Sequence, residues 1–148
     1  MEKDTFSNFN QVGSKKESFR NISILVAEDN VINQIVLRKF LNGWGVGRMI
    51  FASDGQKAID EFQKGEFNLV LLDVQMPVLD GFEVAKLIRE DEDSTKRQTP
   101  ILVFSATSHQ EIIDEMEAFA IDDFIEKPFT PEGLYGKITK YLHSIDRI

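Results

Sequence analysis

Short apolar runs alternating with amphipathic stretches constrain this chain more than any other feature. Residues 22–27 (ISILVA), 67–72 (FNLVLL) and 101–104 (ILVF) are nearly continuous in Ile, Leu, Val and Phe. Residues 49–52 (MIFA) and the shorter pair 124–125 (FI) complete a set of five. Runs of this length without polar alternation suit strands buried on both faces, as in a parallel sheet. Helical spacing fills the gaps. Val31, Ile35, Phe40 and Leu41 predict a first helix with Asn30 as its N-cap. Ala58, Ile59 and Phe62 predict a second after Asp54-Gly55, and Phe82, Ala85 and Ile88 a third after Asp80-Gly81. Ile112, Met116 and Phe119 predict a fourth capped by Ser108. Leu134, Ile138, Tyr141, Leu142 and Ile145 predict a fifth, with Thr130 as N-cap and Pro131 at the first helical position. The stretch 89–99 reads as a long exposed connection. The order is (βα)₅, an α/β arrangement, and right-handed crossovers force it into a parallel sheet with helices on both faces.

Size and charge narrow the function. With 148 residues the chain predicts one domain over 22–145, a flexible polar tail over 1–21 and a short end at 146–148. The tail lacks the apolar segment of a secretory signal, and no run approaches the ~20 residues that span a membrane. Cysteine is absent, which excludes disulfides, thiolate metal sites and cysteine nucleophiles and suits a reducing, cytoplasmic setting. The net charge of −8 argues against direct DNA binding or a broad contact with anionic lipid.

The chemistry lies where polar residues interrupt the apolar runs. Glu28 and Asp29 follow the first run, Asp73 ends the third, Ser105 ends the fourth and Lys127 follows the fifth. All fall at carboxyl ends of predicted strands, the edge where open α/β sheets bind ligands. In a flavodoxin-like, doubly wound sheet of order 2-1-3-4-5, those ends lie side by side. Three carboxylates at close quarters repel one another unless a cation intervenes. An all-oxygen set selects a hard divalent ion, and Mg²⁺ suits one that leaves positions for water and phosphate. A carboxylate surrounded by Mg²⁺, a lysine and a hydroxyl is equipped to accept a phosphoryl group, and needs no general base to do so.

Four stretches, 24–34 (ILVAEDNVINQ), 71–81 (LLDVQMPVLDG), 100–107 (PILVFSAT) and 122–129 (DDFIEKPF), resemble the receiver domains of two-component signalling, in order and at the family's spacing. The EDN segment with Asn33 and Gln34 most resembles receivers of hybrid histidine kinases. The resemblance implies that Asp73 is the phosphoacceptor and that Asp29, Asp73 and the backbone carbonyl of Gln75 bind Mg²⁺, with Glu28 acting mostly through a metal-bound water. It implies that Ser105 and Lys127 contact the phosphoryl oxygens, that the Lys127–Pro128 bond is cis, and that Phe124 is the switch aromatic. Gln75 and Thr107 would flank the path of the attacking water. A sensor histidine kinase or histidine phosphotransfer protein would be the donor, and the surface of the fourth and fifth helices and fifth strand would carry the output. Such a domain assists its own phosphotransfer and autodephosphorylation without being an enzyme in the ordinary sense. One departure is Ala120, where the family usually has Gly.

Other features read as scaffold. Trp44 is predicted core, His109 and His143 stand alone, and the acidic run 90–93 reads as a solvated loop. The glycines at 43, 45 and 47 do not form G-x-G-x-x-G. The alternative function is an interaction module independent of phosphorylation, which the presence of all five site residues disfavours. A Mg²⁺-dependent phosphatase is a further rival, but Gln75 stands where such enzymes carry a second acid. With little chain after the fifth helix, the sequence reads as a stand-alone regulator or a piece of a hybrid kinase, and the initiating Met and natural-looking tail favour the first.

Overall fold

Each of the five apolar runs forms a strand, and all the strand pairings are parallel. The computed structural model describes residues 17–106 and 109–146. The elements run β1 (Ser23–Ala27), α1 (Val31–Gly43), β2 (Arg48–Ala52), α2 (Gly55–Lys64), β3 (Leu69–Asp73), α3 (Gly81–Arg89), β4 (Ile101–Ser105), α4 (His109–Ala118), β5 (Asp123–Glu126) and α5 (Pro131–Asp146). The sheet order is β2-β1-β3-β4-β5, the flavodoxin-like order that the sequence predicts. The chain leaves β1 towards β2 and returns on the other side as β3, so a crevice opens between the carboxyl ends of β1 and β3.

Strand periodicity divides the core into two layers. Ile24, Val26, Leu69, Leu71, Leu102 and Phe104 face Leu37 and Leu41 of α1 and Leu134, Ile138 and Leu142 of α5. Leu25, Ala27, Val70, Leu72, Ile101 and Val103 face Ala58 and Phe62 of α2, Val84 and Ile88 of α3, and Ile112 of α4. Full burial of one such Leu or Ile stabilises the fold by about 1.5–3 kcal/mol. The helix starts follow their capping residues. Asn30 accepts from the Asn33 N–H, Asp54 from Lys57, and Asp80 with Glu83 forms a reciprocal capping box. Thr130 Oγ1 accepts from the Gly133 N–H at 2.9 Å. Ser108 and Thr107 lie outside the described residues.

Two expectations need correction, and a third is borne out only in part. The tail was expected to run to Asn21, yet Glu17–Asn21 form a 3₁₀ turn and Phe19 is buried in the core. Phe19 packs near Tyr135, and Tyr135 meets Trp44 edge-on. The Phe19 carbonyl accepts from the Gly47 N–H at 2.8 Å, and a Cβ at Gly47 would meet the Arg20 carbonyl oxygen at 1.9 Å, so only glycine fits there.

The connection 89–99 is exposed over most of its length, as expected, but Arg89 and Thr99 tie its ends down. Arg89 donates to the carbonyls of Arg97, Thr99 and Ala120 and pairs with Asp122 at 2.9 Å, while Lys96–Gln98 form a 3₁₀ turn. Burial pulls the Arg89 guanidinium below its usual pKa, against the Asp122 carboxylate that favours its charge. Finally, Val31 and Ile35 share a helical stripe with core residues in the sequence, but the structure exposes them at 64% and 57%. The core face of α1 is carried by Leu37 and Leu41 instead.

Candidate functional site

Strand register aligns the polar residues. Ala27 pairs with Leu72, Asp73 with Phe104 and Ser105 with Glu126, so the chain beyond each of these strands emerges at one edge. The ladder extends one step further. Glu28 N–H donates to the Ala52 carbonyl at 2.9 Å, and Lys127 N–H to the Ser105 carbonyl at 2.9 Å. Gly81 packs closely behind Asp73, since a Cβ there would lie 2.5 Å from the Asp73 carbonyl oxygen. Glycine at the start of α3 lets that helix close on the end of β3.

Glu28, Asp73 and Lys127 meet directly. Lys127 Nζ lies 2.9 Å from Asp73 Oδ2 and 4.0 Å from Glu28 Oε1. Carboxylate oxygens of Glu28, Asp29 and Asp73 all fall within 4.8 Å of one another. Glu28 and Asp73 are buried, whereas Asp29 is exposed at the mouth. Glu28 Oε2 accepts from the Asn30 N–H at 3.0 Å, and Asp73 Oδ1 from the Gln75 N–H at 3.2 Å. Asn33, Met76 and Pro77 complete the walls of an open cleft above these groups. Ser105 is buried at the end of β4, one residue beyond the Asp73–Phe104 pair.

Burial pushes the Glu28 carboxyl above its usual pKa, and the Asp73 carboxylate beside it pushes the same way. The Asn30 N–H and the Lys127 ammonium act in the opposite direction without cancelling the effect. Three crowded carboxylates facing one ammonium leave an excess of negative charge. The donors are all oxygen, with neither imidazole nor thiolate among the clustered groups, and this chemistry fits Mg²⁺. Lys127–Pro128 is cis, as the resemblance implies.

Phe124 sits opposite Val103 in the β4–β5 ladder and is half-buried. Its ring lies 5.2 Å from Lys137 Nζ on α5. Lys137 donates to Asp123 Oδ1 at 2.8 Å, and the Tyr141 hydroxyl lies 3.0 Å from both Asp123 Oδ2 and the Asp122 carbonyl. Sequence reasoning did not single out Lys137, Asp123 or the hydroxyl of Tyr141, because the partners are far apart in the chain and carry no motif. Ala120 has φ +53°, the left-handed conformation for which the family usually supplies glycine.

The comparisons with known proteins agree with this geometry. Response regulator mcs4 of Schizosaccharomyces pombe is 30% identical over 144 residues, covering 81% of this chain and 27% of that protein. The chain thus spans about a quarter or less of the length of the curated relatives that match it first. Among solved structures, the receiver domain of a Pseudomonas aeruginosa sensor histidine kinase, with a magnesium ion coordinated in its active-site cleft, superposes with a TM-score of 0.72 at 27% identity, covering 82% of this chain and 98% of the other. The receiver domain of the Saccharomyces cerevisiae response regulator Ssk1, solved with the histidine phosphotransfer protein Ypd1, superposes with a TM-score of 0.73 at 33% identity, covering 81% and 88%. The response regulator receiver domain model matches residues 24–139, most of the chain and every strand-end residue described above. This chain therefore belongs to the response regulator receiver domains of two-component phosphorelay signalling.

Proposed function

We propose that Asp73 accepts a phosphoryl group from a phosphohistidine on a partner protein and that the domain signals through the state of this residue. The observation that carries the reading is the Lys127 ammonium 2.9 Å from Asp73, with Glu28 and Asp29 clustered at the same edge. Receiver domains act as phosphoacceptor switches and not as classical enzymes. Glu28, Asp29, Asp73 and the backbone carbonyl of Gln75 would hold Mg²⁺, which when bound supplies neutralising charge for the phosphoryl oxygens.

An Asp73 carboxylate oxygen attacks phosphorus in line. The P–O bond forms as the P–N bond breaks, and the bonding pair leaves with the ring nitrogen of a protonated donor, which departs as neutral imidazole. Lys127 and the Ser105 hydroxyl bind the transferred oxygens. Attack of water on the same phosphorus later restores Asp73 and releases phosphate, with Gln75 beside its path. Drawing Ser105 towards the phosphoryl group frees space for Phe124, which changes the α4-β5-α5 surface.

The donor is a histidine kinase or a histidine phosphotransfer protein. The exposed Val31, Ile32 and Ile35 on α1, beside the cleft, support a protein docking face. The net charge of −8 supports a protein and not a nucleic acid as partner, and the exchange belongs to the cytoplasm in this reading. The deciding experiment is labelling with a small phosphodonor such as acetyl phosphate. Wild-type protein takes up label only with Mg²⁺, and Asp73→Asn takes up none. Label persisting on Asp73→Asn would refute the assignment.

A further inference from the structure

Gln34 lies on α1 behind the cleft, not in its wall. Its side-chain amide Nε2 donates to the main-chain carbonyl of Glu28 at 2.6 Å. That carbonyl stands where the chain has left one regular element and not yet entered the next. The Glu28 N–H still belongs to the sheet, bonded to Ala52, while α1 begins only at Val31 after its Asn30 cap. The first carbonyl that α1 engages is that of Asn30, which accepts from the Gln34 N–H at 3.0 Å. Without Gln34, the Glu28 carbonyl has neither ladder nor helix to bind it, although a half-buried carbonyl needs a partner.

The plane containing this carbonyl is the peptide joining Glu28 to Asp29. Its rotation decides where both carboxylates point. Three bonds now hold the turn: Glu28 N–H to Ala52, Glu28 C=O from Gln34, and the Glu28 carboxylate from the Asn30 N–H. We propose that Gln34 is a positioning residue for the divalent-cation site, holding the Glu28–Asp29 peptide so that both carboxylates converge on Asp73. This rests on the Mg²⁺ reading above and deepens it. Gln34 touches neither cation nor phosphoryl group and acts only through the backbone of the liganding turn. Partners of this kind, one shell behind the ligands, tune metal affinity.

The choice of ion provides the test. Mg²⁺ demands near-ideal octahedral geometry, whereas Ca²⁺ accepts flexible coordination. Loss of positioning therefore weakens Mg²⁺ more than Ca²⁺, while general damage to the domain weakens both alike. Titration calorimetry of the full chain compares wild type with Gln34→Met, which keeps the length and loses the donor. The expected result is a Mg²⁺ dissociation constant raised about tenfold, a Ca²⁺ constant raised threefold or less, and a metal-free melting temperature lowered by only a few degrees, the cost of one unpaired carbonyl. Gln34→Asn keeps the amide but falls one methylene short, and should reproduce the Mg²⁺ loss. Unchanged Mg²⁺ affinity in both variants, or equal losses for both ions, would overturn the proposal while leaving the cation site intact. Wild-type protein that binds no Mg²⁺ at millimolar concentration would overturn the cation reading itself, and this inference with it.

Discussion

Lys137 Nζ donates to Asp123 Oδ1 at 2.8 Å while standing 5.2 Å from the centroid of the Phe124 ring. One ammonium thus ties α5 to β5 and also faces the aromatic side chain proposed as the switch. Phe124 has no hydroxyl with which to anchor its position. A cation over the ring is the polar interaction this side chain can use.

Lys137→Met should therefore loosen Phe124. A cation–π contact at a half-exposed site is worth about 0.5–1 kcal/mol, or about two- to fivefold in the balance between ring positions. The beryllofluoride complex should form at about two- to fivefold lower beryllofluoride concentration than in wild type, as followed by amide shifts of β5 and α5. An unchanged midpoint would mean that the contact does not bias the switch.

Asp123 gives this region a pH dependence of definite sign. Burial alone would raise its carboxyl, but hydrogen bonds from Lys137, the Phe124 N–H and Tyr141 outweigh it and hold the pKa below the ordinary 3.8. A carboxyl depressed on folding stabilises the native state above its unfolded pKa and loses that contribution as pH falls through the folded value. Asp123→Asn should cost about 1 kcal/mol at pH 7, since Lys137 is partly solvated. The gap between the two proteins should close in urea melts carried below pH 3.8.

Glu28 carries the opposite sign. Its carboxyl lies above the ordinary 4.5 through burial and the neighbouring Asp73. A raised carboxyl stabilises the fold while protonated, and that contribution fades as pH rises from 4.5 through the folded value. Glu28→Gln should make the metal-free protein more resistant to heat at pH 7 and weaken Mg²⁺ binding about tenfold. Stability and metal affinity moving in the same direction would count against the assignment.

Phe19 tests where the folded domain begins. With 2% of its surface exposed, Phe19→Ala should cost about 3–4 kcal/mol in urea unfolding. A loss under about 1 kcal/mol would return this segment to the tail.

The residues not legible in the sequence share one cause. Periodicity marks the apolar positions of α1 but cannot say which of them another element covers. The sheet and α5 reach Leu37 and Leu41, while Val31 and Ile35 stay in solvent. Phe19 belongs to no periodic stretch, so its burial depends on the core it meets beside Tyr135, whose ring stands edge-on to Trp44. Arg89 looks like one charge in a charged stretch until its partners at Ala120 and Asp122 arrive from 31 and 33 residues away. Gln34 is visible as part of a motif, but not as a partner of the Glu28 carbonyl.

By itself, the sequence determined the five strands, their helices and the strand ends where Glu28, Asp29, Asp73, Ser105 and Lys127 stand. Those features follow from local period, cap chemistry and the handedness of parallel crossovers, which act over a few residues or constrain every such chain alike. Only the tertiary structure decided that Lys127 reaches Asp73, that Gln34 holds the turn behind Asp29, and that Lys137 faces Phe124. Each of these contacts joins side chains or main chain at a particular distance and angle. Such distances are set by packing between elements, which no single segment of the chain encodes.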